Sequence, residues 1–228
     1  LVIFSLSRLA GGDYERNYFR DTMFTSAVVL LPAFFLSSFV MAVAGGYLSE
    51  KAGTPPYLVA REAVRHGPEA AARQSLVTLA VALVTFGICL GYSLALFKAC
   101  ERFTGKPPQP APGTEDVAVI FAHNVPLVSG FGLAAAFWEE IFVRLFLLNA
   151  LRWVFRKADG ATAAAVVVSS AIWACGHAGT MNPEIVKFLQ VFAIGCLFGT
   201  VYVHRGIEAT LASHSLFNLG ILALGGFQ

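Results

Sequence analysis

Apolar stretches long enough to cross a lipid bilayer recur along the chain, and most charged residues lie between them. Of the 228 residues, 57% are hydrophobic and 13% are charged. A typical soluble domain has about 45–50% apolar and about 25% charged residues. The pattern therefore indicates a membrane protein with several crossings. The predicted membrane helices are residues 25–48, 75–97, 131–155, 161–178, 184–204 and 207–224.

The length bounds the number of these helices. At roughly 20 residues per crossing, the chain can hold about six to eight membrane helices in one domain, residues 1–228. We predict an all-α, polytopic transmembrane helical bundle around an intramembrane polar cavity. The proline-rich linker at residues 98–116 divides it into N-terminal helices and linkers, 1–116, and a core, 117–228.

Some local features of these segments can also be predicted. Residues 59–73 are expected to form a short interfacial helix. Residues 117–129 are apolar but short, and we expect a lead-in or re-entrant helix that is separated from the next helix at Gly130. Gly195 and Gly199 have the small-xxx-small spacing that lets membrane helices pack closely.

The charge of the chain excludes some partners and leaves other questions open. The net charge of +2 is too small, and the basic residues too dispersed, for a nucleic-acid-binding protein. The lipid bilayer is the expected partner. Basic residues are divided almost equally between the two sides of the predicted helices, so they do not indicate the orientation. The sequence does not indicate the oligomeric state.

Glu139, Glu140 and Arg144 are the charged residues that lie well inside an apolar run. A charge at the bilayer centre costs at least about 2.5–3.5 kcal/mol, so it is retained with a partner or a function. Glu140 and Arg144 are four residues apart and are expected to form an intrahelical ion pair, whose simplest role is structural. Glu139 points about 100° away around the helix and lacks this partner, which makes it a candidate general base.

Two further helices carry polar side chains at one-turn spacing. His177 follows Trp173 by four residues, and Asn218 follows His214 by four residues. A single buried histidine is most simply a hydrogen-bonding residue of the bundle. Because three helices carry such residues at similar depth, we expect them to meet Glu139 in one cavity, in the half of the membrane nearer the N-terminal side.

Carboxylate, imidazole and amide groups in one cavity suit the hydrolysis of an acyl bond, with a water held by a carboxylate and an imidazole. The same histidines and a glutamate can instead bind a metal with an open fourth position. The chain has neither the HExxH motif of zinc proteases nor the GxSxG motif of serine hydrolases. A non-catalytic scaffold or bacteriocin-immunity protein, and a small transporter with a glutamate proton relay, are the alternatives.

The polar motifs resemble those of the CAAX-protease and bacteriocin-processing family, also called CPBP or Abi, which includes the Ras-converting CAAX prenyl endopeptidases. Residues 139–144, EEIFVR, match its EExxxR motif. Residues 173–177, WACGH, approximate FxxxH with Trp in place of Phe. Residues 214–218, HSLFN, match HxxxN/D. All three occur in order on successive apolar helices, over about 40% of the chain.

The resemblance implies an intramembrane endopeptidase that cleaves a membrane-associated peptide or lipidated protein. It implies that Glu139 is the general base and shares the water with His177. His214 and Asn218 would stabilise the oxyanion, and Glu140 with Arg144 would hold the cavity in shape. The resemblance leaves the cofactor open, either none or a divalent metal such as zinc. It also implies a multi-pass protein whose cavity opens to the cytosol.

Overall fold

The computed structural model describes residues 33–54, 56–111 and 125–223. In these ranges the chain is almost entirely helical, apart from two short strands that pair antiparallel. The elements in chain order are α1 (Ala33–Lys51), α2 (Leu58–His66), α3 (Pro68–Thr104), β1 (Gln109–Pro110), α4 (Val125–Glu139), a π-helical segment (Glu140–Leu148), α5 (Asn149–Phe155), α6 (Ala161–Cys175), β2 (Met181–Asn182) and α7 (Glu184–Ala223). The predicted all-α fold is confirmed.

Three described helices are long and apolar enough to cross a membrane: α1, α3 and the part of α7 from Glu184 to Ile221. Large apolar side chains on α1 and α3, such as Phe39 and Leu76, are more than half exposed, as expected for surfaces that face lipid. The chain is a helical membrane protein. The predicted six to eight crossings and the single-domain organisation stay predictions, and residues 25–32 and 117–124 lie outside the described residues.

The predicted interfacial helix at residues 59–73 is shorter than expected, because α2 ends at His66. Gly67 has a φ of 85°, which interrupts the helix, and Pro68 begins α3. As a result α3 extends beyond the predicted residues 75–97 at both ends, and the first part of the predicted linker is helical.

The predicted break at Gly130 is wrong, because α4 is helical from Val125, the first described residue of this range, and continues through the π-helical segment and α5 to Phe155. At the end of the π-helical segment, the side-chain amide of Asn149 donates to the carbonyl of Leu145 at 2.8 Å. This bond satisfies a backbone acceptor at the return to α-helical geometry.

The predicted division between the last two helices is seen as a kink within α7 at Gly206, whose φ is 78°. The kink is tied to the N-terminal half of the chain. The N–H of Ile207 donates to the carbonyl of Pro56 at 2.9 Å. The carboxylate of Glu208 accepts the backbone N–H groups of Leu58 and Val59 at 3.0 and 3.1 Å, so it caps the N-terminus of α2.

The predicted close packing at Gly195 and Gly199 is confirmed, and it positions the centre of the bundle. A Cβ at Gly195 would lie 2.9 Å from Ser170 and 3.0 Å from the ring of Trp173. A Cβ at Gly199 would lie 3.0 Å from Val166. The two glycines therefore let α7 approach α6 closely, and the ring of Trp173 lies at their contact.

Candidate active site

The carboxylate of Glu139, at the C-terminal end of α4, lies between side chains from two other helices. Its Oε2 atom is 4.0 Å from Nε2 of His177, which follows α6, and 3.9 Å from Nε2 of His214 on α7. The same atom accepts the indole N–H of Trp173 at 2.7 Å. The predicted meeting of Glu139, His177 and His214 is therefore seen in the structure. The side chain of Glu139 is 20% exposed, so the carboxylate is not completely enclosed.

In each histidine, the hydrogen-bond partner of Nδ1 shows which ring nitrogen carries a proton. Nδ1 of His177 lies 2.9 Å from the backbone carbonyl of Trp173, and a carbonyl can only accept. Nδ1 of His214 lies 2.9 Å from Oε1 of Glu140, which as a carboxylate also only accepts. Both rings therefore carry a proton on Nδ1. In a neutral ring Nε2 then presents its lone pair toward Glu139.

The predicted Glu140 and Arg144 ion pair is present and is buried. Nη1 of Arg144 lies 3.5 Å from Oε1 of Glu140, and the two side chains are 1% and 0% exposed. The guanidinium lies over the ring of Trp173, 4.2 Å from its centroid, and 5.5 Å from that of Phe198. Among the described residues, the Nη1 and Nη2 atoms of Arg144 have no hydrogen-bond partner within bonding distance. Arg144 is thus held by charge and by aromatic rings.

Asn218 lies one turn after His214 on α7 and contacts α4. Its side-chain amide donates to the backbone carbonyl of Gly132 at 2.9 Å. Gly132 precedes Glu139 by two helical turns, so this bond fixes α7 against the helix that carries the carboxylate. One N–H of the amide makes this bond and a second N–H remains on the same nitrogen. The role of Asn218 at an oxyanion stays a prediction.

Comparison with known proteins identifies the part of the chain that forms this site. A sequence model described as "Type II CAAX prenyl endopeptidase Rce1-like" matches residues 121–220, somewhat under half of the chain. This segment is similar to the Rce1-like family. Every residue of the candidate site lies within it, from Glu139 to Asn218. The resemblance found from the three motifs is thereby confirmed for this segment.

The chain is also similar to a curated protein, the "Sporulation-killing factor biosynthesis protein SkfC" of Bacillus subtilis (strain 168). It is 28% identical over 91 residues, which are 40% of this chain and 18% of the relative. The chain thus spans less than a fifth of the length of that relative. No solved structure matches the chain.

Trp173 is the residue of the Rce1-like site whose contribution sequence reasoning missed. The second motif identified Trp173 only as an aromatic residue in place of Phe. In the structure the indole N–H donates a hydrogen bond to Glu139, and the guanidinium of Arg144 lies over the ring. The indole also contacts the rings of His177 and His214 edge-on, with 5.3 and 5.5 Å between centroids. The sequence did contain a signal for this role, because Trp carries an N–H donor that Phe lacks.

The fit of a zinc ion to the Rce1-like site can be tested from the same distances. Glu139, His177 and His214 supply donors that zinc binds. Two ligands of a tetrahedral zinc, each about 2.1 Å from the metal, lie roughly 3.4 Å apart. The observed Oε2 to Nε2 separations of 3.9 and 4.0 Å are wider. Among the described residues, no three His, Cys, Asp or Glu side chains form a metal-binding group. The side chains as they lie fit a bridging water better than zinc.

Proposed function

We propose that this Rce1-like protein is an intramembrane endopeptidase that hydrolyses a peptide bond near the membrane face with a water activated by Glu139. The observation that supports this most is the position of Oε2 of Glu139, about 4 Å from the Nε2 atoms of two histidines. Hydrogen bonds of about 2.8 Å allow one water to bridge two atoms at such a separation. That water would lie beside a base and beside the groups that orient it.

In the proposed reaction Glu139 takes one proton from the water, and His177 accepts a hydrogen bond that orients it. The water oxygen bonds to the carbonyl carbon of the substrate, and a tetrahedral oxyanion forms. The C–N bond then breaks, and the proton held by Glu139 is transferred to the leaving amine. The products are a carboxylic acid and an amine, and transfer of the acid proton to the amine gives a carboxylate and an ammonium group.

The oxyanion would be stabilised by His214 and Asn218, but His214 can do this only as an imidazolium. Its Nδ1–H is bonded to Glu140, so Nε2 donates to the oxyanion only when it too is protonated. An imidazolium at this position would have two carboxylate neighbours, with Oε2 of Glu139 3.9 Å from Nε2 and Oε1 of Glu140 2.9 Å from Nδ1.

The proposed substrate is the C-terminal tail of a lipidated or membrane-bound protein. The matched family is described as CAAX prenyl endopeptidase-like, which supports a prenylated tail. The name of the relative SkfC mentions no prenyl group, so the same peptide without a prenyl group is the second probe. The exposed part of Glu139 gives a peptide chain access to the base.

The orientation belongs to the same proposal: a multi-pass protein whose site opens to the cytosol. Cys175 is exposed and lies two residues before His177. With the other three cysteines replaced by serine, an impermeant maleimide should label Cys175 in inside-out vesicles and leave right-side-out vesicles unlabelled. The reverse result would contradict the cytosolic opening.

The activity is tested on purified protein in lipid nanodiscs with two peptides, one farnesylated at a Cys-aliphatic-aliphatic-X terminus and one with the same sequence unmodified. Mass spectrometry of the products identifies the cleaved bond. We expect cleavage by the wild type and a loss of about 10²–10⁴-fold in Glu139→Gln, the usual contribution of a general base. Glu184→Gln, an exposed glutamate at the start of α7, is the matched control.

The two peptides and the variant give separable outcomes. Cleavage of the farnesylated peptide alone indicates that the prenyl group is recognised. Wild-type cleavage rates in Glu139→Gln would refute the proposed base. A wild type that cleaves neither peptide would contradict the proposed peptide-tail activity and favour the scaffold alternative.

A further inference from the structure

The indole N–H of Trp173 is a buried donor directed at the carboxylate proposed as the base. Trp173 is 8% exposed, and its Nε1 atom lies 2.7 Å from Oε2 of Glu139. A buried indole N–H without an acceptor costs free energy, and a bond from an N–H to a carboxylate is among the stronger hydrogen bonds. The bond therefore fixes one carboxylate oxygen at a defined place.

That place is the one from which Glu139 faces both histidines. The oxygen that accepts the indole N–H is the same Oε2 that lies 4.0 Å from His177 and 3.9 Å from His214. A glutamate side chain has three rotatable bonds and no other hydrogen bond holds Glu139 among the described residues. Without the indole donor, Oε2 could rotate away from the two Nε2 atoms.

The indole itself has little freedom to move. One face carries the guanidinium of Arg144, at 4.2 Å, and the ring edge lies against Gly195 of α7. Its ring also packs against Phe198, with 6.3 Å between centroids. The donor is thus attached to a rigid platform, as precise placement of a reactive carboxylate requires.

We propose that Trp173 is a positioning residue of the hydrolysis, whose indole N–H holds the Glu139 carboxylate between His177 and His214. This inference rests on the proposed function. It assigns to Trp173 a chemical task that a phenylalanine at the same position cannot perform, since Phe retains the ring packing but has no N–H.

The hydrogen bond is tested without any measurement of activity. The chain has three tryptophans, so protein labelled with ¹⁵N-tryptophan gives three indole N–H signals. Trp173→Phe assigns the signal of Trp173 by its disappearance. In Glu139→Gln we expect this signal to move upfield, because a neutral amide is a weaker acceptor than a carboxylate. Trp153, which is 48% exposed, supplies the control signal and should not move. An unchanged Trp173 signal would overturn the proposal.

The positioning role is tested by the kinetics of Trp173→Phe with the peptide that the wild type cleaves. We expect kcat to fall about 10- to 100-fold while KM stays within about threefold, since the lost bond is one to a charged group. Trp153→Phe removes an exposed indole and should keep the wild-type kcat. A wild-type kcat in Trp173→Phe, or a loss confined to KM, would overturn the role.

The thermal midpoint of Trp173→Phe separates positioning from folding. Retention of the ring should keep the midpoint within a few degrees of the wild type, and a large fall together with the loss of kcat would indicate a structural role and contradict the proposal. A wild type that cleaves no peptide refutes the proposed function and the positioning role with it. The indole signals would then still report whether the hydrogen bond exists.

Discussion

The Nδ1 atom of His214 lies 2.9 Å from Oε1 of Glu140, and both side chains are almost completely buried. This bond links the last membrane helix to the helix that carries the glutamate pair. It fixes the ring so that Nε2 faces Glu139. A carboxylate behind a reactive imidazole sets both the orientation and the tautomer of the ring. Glu140 therefore belongs to the site through His214 as well as through Arg144.

Replacement of Glu140 should destabilise the protein more than replacement of an exposed glutamate. Glu140→Gln leaves the charge of Arg144 buried without its partner, which costs about 3–5 kcal/mol of unfolding free energy. The measurement is the denaturation midpoint in a mixed micelle. Glu101→Gln is the control, because Glu101 and Lys98 form an exposed pair at 3.0 Å that contributes at most about 1 kcal/mol.

The double variant Glu140→Gln with Arg144→Met extends this test. Since it removes both buried charges, it should recover part of the stability lost in Glu140→Gln. Equal midpoints for Glu140→Gln and Glu101→Gln would show that the buried pair contributes little to the fold.

Replacement of His177 should lower turnover and spare stability. The ring is 26% exposed and is held by one bond to a backbone carbonyl, so little packing is lost in His177→Ala. Loss of the group that orients the water should lower kcat by about 10²–10⁴-fold. His66→Ala, which removes an exposed histidine from α2, should leave kcat unchanged. A decrease in kcat of less than about tenfold would exclude His177 from the reaction.

Asn218→Ala distinguishes an oxyanion role from a purely structural one. Loss of an oxyanion donor should lower kcat by about 10²–10³-fold, with a small change in the midpoint of unfolding. If Asn218 only ties α7 to Gly132 of α4, the midpoint should fall and kcat of the folded fraction should stay near the wild-type value. The second result would refute the oxyanion role that the family resemblance implies.

Gly195→Ala should damage the site through packing. The added methyl group would lie 2.9 Å from Ser170 and 3.0 Å from the ring of Trp173, so α6 and α7 must separate, at a cost of about 1–3 kcal/mol. Turnover should fall as well, because Trp173 moves. Gly91→Ala on α3 is the control, since its methyl group would meet no described atom within 4 Å. Equal stability of the two variants would contradict the close contact of α6 and α7.

Treatment with a zinc chelator should leave cleavage unchanged. The separations of 3.9 and 4.0 Å from Glu139 to the two histidines suit a water better than a tetrahedral zinc. Metal analysis of the active, purified protein should find zinc at less than about a tenth of the protein concentration. Activity that is lost with a chelator and restored by zinc alone would show that the side chains rearrange around a metal.

Patterns within one helix were sufficient to predict much of the site. Glu140 and Arg144, and His214 and Asn218, are four residues apart, so a helix places each pair on one face. The pair at Glu140 is an ion pair in the structure, and Gly195 and Gly199 lie at a close helix contact, as predicted. The predicted break at Gly130 failed because helical context overrides the weak propensity of one glycine.

The sequence by itself determined that this chain forms membrane helices and which of their faces carry polar groups, because both depend on residue type and on the fixed period of a helix. Only the tertiary structure decided that Glu139 lies within about 4 Å of two histidines and that Trp173 donates to it. Distances between helices depend on how closely and at which residues they cross, and contacts such as Gly195 against α6 set those crossings. The spacing of residues along the chain does not specify these distances between helices.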